Sequence, residues 1–235
     1  MTAAAVAATR ATFRAVKRLV AGVLVCVLAP AFAAPAMVGG AAKPQFVGKS
    51  SKIDHARAKR MKGRSWHREC PVPISQLRLL RVRHWDFKGE IERGRLIVNE
   101  AADREILRVM EDLFDERFPI RRMEVIDAYG GDDHKSMNAD NTSAFNCRFV
   151  AGTQRWSEHA FGRAIDLNPI ENPYVTTSGH VSPPAGRPYA DRTRDARGMI
   201  HRGDPTVRAF KSVGWKWGGN WSGTRDFQHF SATGS

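Results

Sequence analysis

Ser157-Glu158-His159-Ala160-Phe161-Gly162-Arg163-Ala164-Ile165-Asp166 is the stretch on which the reading of this 235-residue chain turns. It sets a histidine and a carboxylate seven residues apart, around a glycine and two alanines. Near the C-terminus, Asp226-Phe227-Gln228-His229 adds a second carboxylate and a second histidine. Together the two stretches offer His159, Asp166 and His229 as three N/O ligands and Asp226 as a general base. Catalytic zinc sites have that make-up, with a fourth position open to water. Zinc lowers the pKa of such a water from 15.7 to about 7, which makes hydroxide available near neutrality. A nearby carboxylate can then take the proton and hand it to a leaving amine. The pattern implies a metallopeptidase.

The surrounding residues fit that chemistry. Arg163 to Asn168 reads as a strand with Ile165 and Leu167 on one face and Ala164, Asp166 and Asn168 on the other. The apolar face anchors in a core and Asp166 faces a cleft. Asp226 and His229 are three apart, which puts them on opposite sides of a straight strand. Asp226 is therefore expected in the turn that enters the strand carrying His229. Arg148, in Asn146-Cys147-Arg148, is the candidate positive charge for an oxyanion, with a structural ion pair as its alternative. Ser157, two residues before His159, is placed to donate to substrate or to support a ligand. Glu158 is read as exposed and inert. His55, His67, His84, His134, His180 and His201 receive no role. Asp226 keeps one alternative, that of hydrogen-bond partner to a histidine.

These motifs resemble the zinc peptidases of peptidoglycan: D-alanyl-D-alanine carboxypeptidases, vancomycin-resistance D,D-dipeptidases and L-alanyl-D-glutamate endopeptidases. That family carries S-x-H-x-x-G-x-A-x-D followed by a late D/E-x-x-H, matched here by Ser157 to Asp166 and Asp226 to His229. Asn141 to Arg148, Asn168-Pro169 and Gly214-Trp215-x-Trp217-Gly218-Gly219 are similar to one branch of it, so the likeness covers roughly residues 66–231. The resemblance implies zinc on His159, Asp166 and His229, with Asp226 as base. It also implies an α+β fold of the hedgehog/DD-peptidase kind, a central antiparallel sheet with flanking helices and a zinc cleft. Asp rather than Glu before the last ligand is closer to the endopeptidase branch. Trp215, Trp217 and Trp221 either line a cleft for glycan or stem peptide or pack in the core.

Composition sets the frame. At 42% hydrophobic and 26% charged residues the chain is ordinarily globular. Its net charge of +13 is concentrated at the front: residues 1–34 carry +4, residues 43–69 carry +7, and the remainder carries only +2. That distribution argues against a nucleic-acid-binding protein. Residues 1–34 read as a secretory signal, with a basic start at Arg10 to Arg18, an apolar run from Leu19 to Leu28, and cleavage near Ala33. An uncleaved N-terminal membrane anchor is the alternative. Cys26 lies in the apolar run, which leaves Cys70 and Cys147 as an even pair in an oxidising compartment, expected to form a disulfide. Residues 35–64, rich in Ala, Gly, Ser, Lys and Arg, are expected to be a basic flexible linker, either a solvated tether or an attachment to anionic cell-wall polymer.

The folded domain is expected over residues 65–235. Leu77 to Trp85 and Gly94 to Val98 read as strands around an Asp86 to Gly89 turn, and residues 101–118 as the clearest helix. Met123 to Ala128 and Phe145 to Val150 read as strands, Asp132 to Asn141 as a loop, and Pro169 to Arg202 as a long functional loop. Asp204-Pro205 starts a helix to about Val213, and Trp215 to Phe230 completes the sheet. The expectation is a secreted, monomeric, zinc-dependent carboxypeptidase or endopeptidase acting on the peptidoglycan stem peptide. Its rivals are an inactive zinc-containing cell-wall binding protein on the same fold and a polymer-binding protein that works through its basic front.

Overall fold

The computed structural model describes residues 43–234. The expected signal at 1–34, Cys26 within it, and residues 35–42 of the expected linker lie outside the described residues. In chain order the strands and helices are β1 (Gly48–Lys52), α1 (His55–Met61), β2 (Leu77–Trp85), β3 (Ile91–Asn99), α2 (Asp103–Asp115), β4 (Arg122–Met123), α3 (Asp133–Asn138), β5 (Asn141–Thr142), β6 (Ala164–Asp166), β7 (Tyr174–Val175), β8 (Val181–Ser182), α4 (Pro205–Ser212), β9 (Lys216–Trp217), β10 (Arg225–Asp226) and β11 (His229–Ser231). Among the described residues, no helix is long and apolar enough to cross a membrane.

The period-two pattern of β2 and β3 explains the first sheet, ordered β1-β2-β3. Both of its faces are buried, each in a different cluster. Leu80, Val82, Leu96 and Val98 point to one side and meet Ile106, Val109, Met110 and Leu113 of α2. Leu77, Leu79 and Ile97 point to the other and meet Met61, Val72, Val125 and Phe145. α2 has the 3–4 spacing of apolar residues that such a seat requires.

The second cluster overturns the reading of residues 43–64 as a mobile linker. β1 pairs antiparallel with β2 from Gly48↔Val82 to Lys52↔Arg78, and its polar side chains leave the ladder to the backbone. Ser50 Oγ donates to Asp103 Oδ2 at 2.6 Å. Asp54 caps α1 by accepting from Arg57 N at 2.7 Å. Three apolar residues of the segment are anchored, Phe46 on the first cluster and Ile53 and Met61 on the second, while Val47 stays exposed. The compact unit begins at Pro44 rather than near Trp66.

The expected single central sheet is instead divided into three small antiparallel sheets and one parallel pair, β4-β5. Besides β1-β2-β3 there are β6-β11-β9 and β10-β7-β8, built from strands of two or three residues. In the last third of the chain turns break each strand before it can extend. The mixed α and β content stands, and α2 packs on β2 and against α4. Three local expectations change. Met123 to Ala128 is a two-residue strand followed by a 3-10 turn at Ile126–Tyr129. Asp132 to Asn141 contains α3, capped by Asp132 accepting from Lys135 N. Phe145 to Val150 forms no strand and retains a single bridge, Phe149↔Trp156.

Cys70 and Cys147 are joined by a disulfide across a sequence separation of 77. His67 stands beside it, with Nε2 3.4 Å from Cys147 Sγ and Nδ1 2.7 Å from Glu69 Oε2.

Candidate metal centre

His159, Asp166 and His229 converge because two short elements are locked together. Ser157 opens a 3-10 turn over Glu158–Phe161, its Oγ accepting from His159 N at 3.3 Å. Gly162 closes the turn at φ 66°, and a Cβ there would lie 2.6 Å from Asn99 N, so only glycine fits. β6 follows at once and pairs with β11 in a register that sets His229 opposite Asp166. Phe230 and Ile165 point the other way, into the core, where Phe230 stacks on Phe210 at 4.0 Å.

The donor atoms form a closed triangle. His159 Nε2 lies 3.2 Å from Asp166 Oδ2 and 3.3 Å from His229 Nδ1. His229 Nδ1 lies 3.1 Å from Asp166 Oδ1. Zinc–donor bonds of about 2.0–2.1 Å give tetrahedral donor–donor edges of about 3.3 Å, so the triangle has the right size. Protonation fits as well. His159 Nδ1 lies 2.6 Å from the carbonyl of Ala144, which can only accept, so Nδ1 carries a hydrogen. In neutral imidazole the bare Nε2 then faces a carboxylate oxygen, acceptor to acceptor. A proton relieves one pair at a time, whereas one metal ion satisfies all three. Burial alone would raise the Asp166 pKa, but the charges and hydrogen bonds of His159 and His229 outweigh it and hold the acid well below the usual carboxylate range.

The triangle opens into a cavity of about 1040 Å³ that also holds Asp226, Arg148 and Ser157. Asp226 is on β10, paired with Tyr174 of β7, and so belongs to a strand of a neighbouring sheet rather than to the expected turn. Its Oδ1 is shielded and has no hydrogen-bond partner among the described residues. Burial, and then the negative charge of Asp166, push its pKa up to about 7. Gly218 makes room for it: a Cβ at 218 would meet Asp226 O at 2.5 Å and His229 Cβ at 3.3 Å. Arg148 forms an ion pair with Asp133 of α3 at 2.8 Å, as its structural reading has it, and also lines the cavity.

Two expected substrate residues fall elsewhere. Trp215 and Trp217 are only 3% and 5% exposed and pack in the first core cluster with Phe210 and Phe230. Neither lines the cavity, because the β9–β11 pairing turns both rings inward. The aromatic lining comes from Trp221, Tyr174, and the stacked pair Phe149–Trp156. Glu158, read as inert, is half-buried and also lines the cavity. The bridge Phe149↔Trp156 across a Gly152 turn is a hairpin that an apolar/polar count could not separate from a loop.

This architecture, a mixed α and β scaffold with a buried His₂Asp triangle and a shielded acid in one cavity, has the donor set of a site that could hold a catalytic metal ion. Residues 151–232 match a family model described as D-alanyl-D-alanine carboxypeptidase. The matched segment contains His159, Asp166, Asp226 and His229, while Arg148 lies just ahead of it. No curated protein and no solved structure matches the chain.

Proposed function

We propose that the chain is a zinc-dependent peptidase that hydrolyses peptide bonds of the peptidoglycan stem peptide outside the cytoplasm, as a D-alanyl-D-alanine carboxypeptidase or an L-alanyl-D-glutamate-type endopeptidase. The observation that carries this reading is the donor triangle with Asp226 in the same cavity. His159 Nε2, His229 Nδ1 and an oxygen of Asp166 would hold the ion. When bound, zinc supplies Lewis acidity and lowers the pKa of water.

The chain's own groups supply the rest. Asp226 Oδ1, which meets no donor among the described residues, takes the proton of the attacking water and returns it to the departing nitrogen. Arg148, steadied by Asp133, offers its guanidinium to the charge that develops on the carbonyl oxygen. Ser157 acts through His159, whose backbone it caps. The aromatic walls at Trp221 and Phe149–Trp156 exclude water and seat the substrate. Lys52, Lys59, Arg60, Lys62 and Arg64, all exposed on or beside β1 and α1, make an ordered basic surface suited to anionic wall polymer.

Mass spectrometry of purified peptidoglycan incubated with the zinc-loaded protein, with and without a chelator, tests the reading. Chelator-sensitive release of D-alanine establishes the carboxypeptidase, and release of stem peptides or cross-link fragments establishes the endopeptidase. No product from zinc-loaded protein would leave a binding protein on this scaffold.

A further inference from the structure

Four carboxylates line the cavity, and three have work to do. Asp133 holds Arg148, Asp166 lies between the two histidines, and Asp226 is the proposed base in the same cavity. Glu158 remains. Its Oε2 is shielded from bulk water and meets no donor among the described residues. The backbone fixes where it stands. Ser157 caps the turn ahead of it, and its own carbonyl accepts from Arg163 N at 3.1 Å. The two cavity arginines do not neutralise it: Arg148 is paired with Asp133, and no ion pair joins Arg155 to Glu158. A carboxylate accepts hydrogen bonds and donates none, and charge-assisted partners satisfy it best. A shielded charged oxygen without a donor is costly to keep, which points to a donor that arrives with the ligand.

We propose that Glu158 is a specificity-determining residue that binds a primary ammonium group of the substrate, next to the metal centre. The inference rests on the peptidase reading and narrows it. Stem peptides carry such a group in two places: the side chain of a diamino acid, and the N-terminus once the peptide is free of glycan. Arg148 and Glu158 then give the cavity opposite charges at two points, so a peptide with a carboxylate and an ammonium has one favoured direction in it.

The test uses zinc-loaded wild type and Glu158→Gln with three versions of one stem peptide: unmodified, acetylated on the side-chain amine, and acetylated on the N-terminus. Acetylating the recognised amine is expected to raise the wild-type KM about tenfold, and that penalty is expected to vanish in Glu158→Gln. Whichever acetylation carries the penalty names the amine. Glu158→Lys with a succinylated amine is the second variant, and it is expected to prefer the succinylated peptide over the unmodified one. Equal penalties in wild type and Glu158→Gln overturn the proposal, as does the absence of any penalty in wild type. If wild type hydrolyses none of the peptides, calorimetry on the same proteins takes over. Tighter binding of the unmodified peptide by wild type than by Glu158→Gln would keep the ammonium site and discard the peptidase reading, while equal affinity would discard the site as well.

Discussion

Two three-donor groups stand among the described residues, His159–Asp166–His229 and His67–Cys70–Cys147, and they differ in kind. In each, an oxygen holds one imidazole nitrogen: Ala144 O on His159 and Glu69 Oε2 on His67. The other nitrogen lies within 3.3 Å of both Asp166 and His229 in the first group, and 3.4 Å from Cys147 Sγ in the second. The difference is what the remaining donors are doing. His159, Asp166 and His229 present imidazole and carboxylate donors, whereas Cys70 and Cys147 are oxidised to a disulfide and can no longer act as thiolates. Convergence of ligand types alone does not define a metal centre. The donors must also be uncommitted.

The sharpest way to break this contrast is His159→Ala, which should reduce bound zinc from one ion per chain to a trace, measured by elemental analysis after dialysis. Full occupancy in that variant would remove the triangle as the metal site. Asp226→Ala should keep zinc and lose about 10²–10⁴-fold in peptide hydrolysis, the usual worth of a general base. Unchanged turnover would take Asp226 out of the reaction. On the other side of the comparison, Cys70→Ser with Cys147→Ser should cost about 4 kcal/mol in urea unfolding, given the length of loop that the bridge closes. Zinc content should stay at one, and a loss of metal there would tie the two groups together.

The smallest effect concerns a buried carboxylate whose neighbour is another acid. Burial, and then Asp140, raise the Glu171 pKa to about 7 against the opposing bond from Arg121. The folded chain therefore keeps a proton that the unfolded chain has already lost. The associated stability is full below the unfolded pKa and is lost as pH rises through about 7. Between pH 4.5 and 7.5 the wild type should lose about 2 kcal/mol more than Glu171→Gln, read from unfolding curves at stepped pH. Parallel curves would mean that Arg121 neutralises Glu171 fully.

What was legible in the sequence follows from the range of the forces involved. β2 coincides with Leu77–Trp85 because alternating side chains and a two-sided burial leave a strong local pattern. The donor residues were legible because chemistry demands their types at fixed spacing. β1 was not, because GKSSK is held by backbone bonds to β2 and its side chains carry little trace of that. α1 exposes most of its seven residues and buries Arg57 and Met61, too little for a periodic signal. Trp215 and Trp217 could not be assigned to cleft or core from sequence, since only the β9–β11 pairing decides which way the rings turn. Glu158 was read as exposed, and its half-burial could not be foreseen because a single four-residue 3-10 turn leaves no periodic trace in the sequence.

The pairing of His229 with Asp166 has a kinetic consequence. These residues are separated by 63 positions in the chain, and His229 is 70 from His159. A one-residue slip of β11 against β6 would send His229 into the core and Phe230 into the cavity. The triangle therefore does not exist until a long-range strand pair has closed in correct register, and contacts of that separation are slow to form. The convergence of the three donors is in this sense a readout of completed pairing: a chain caught midway presents its histidines singly, and the triangle closes only when β11 joins β6.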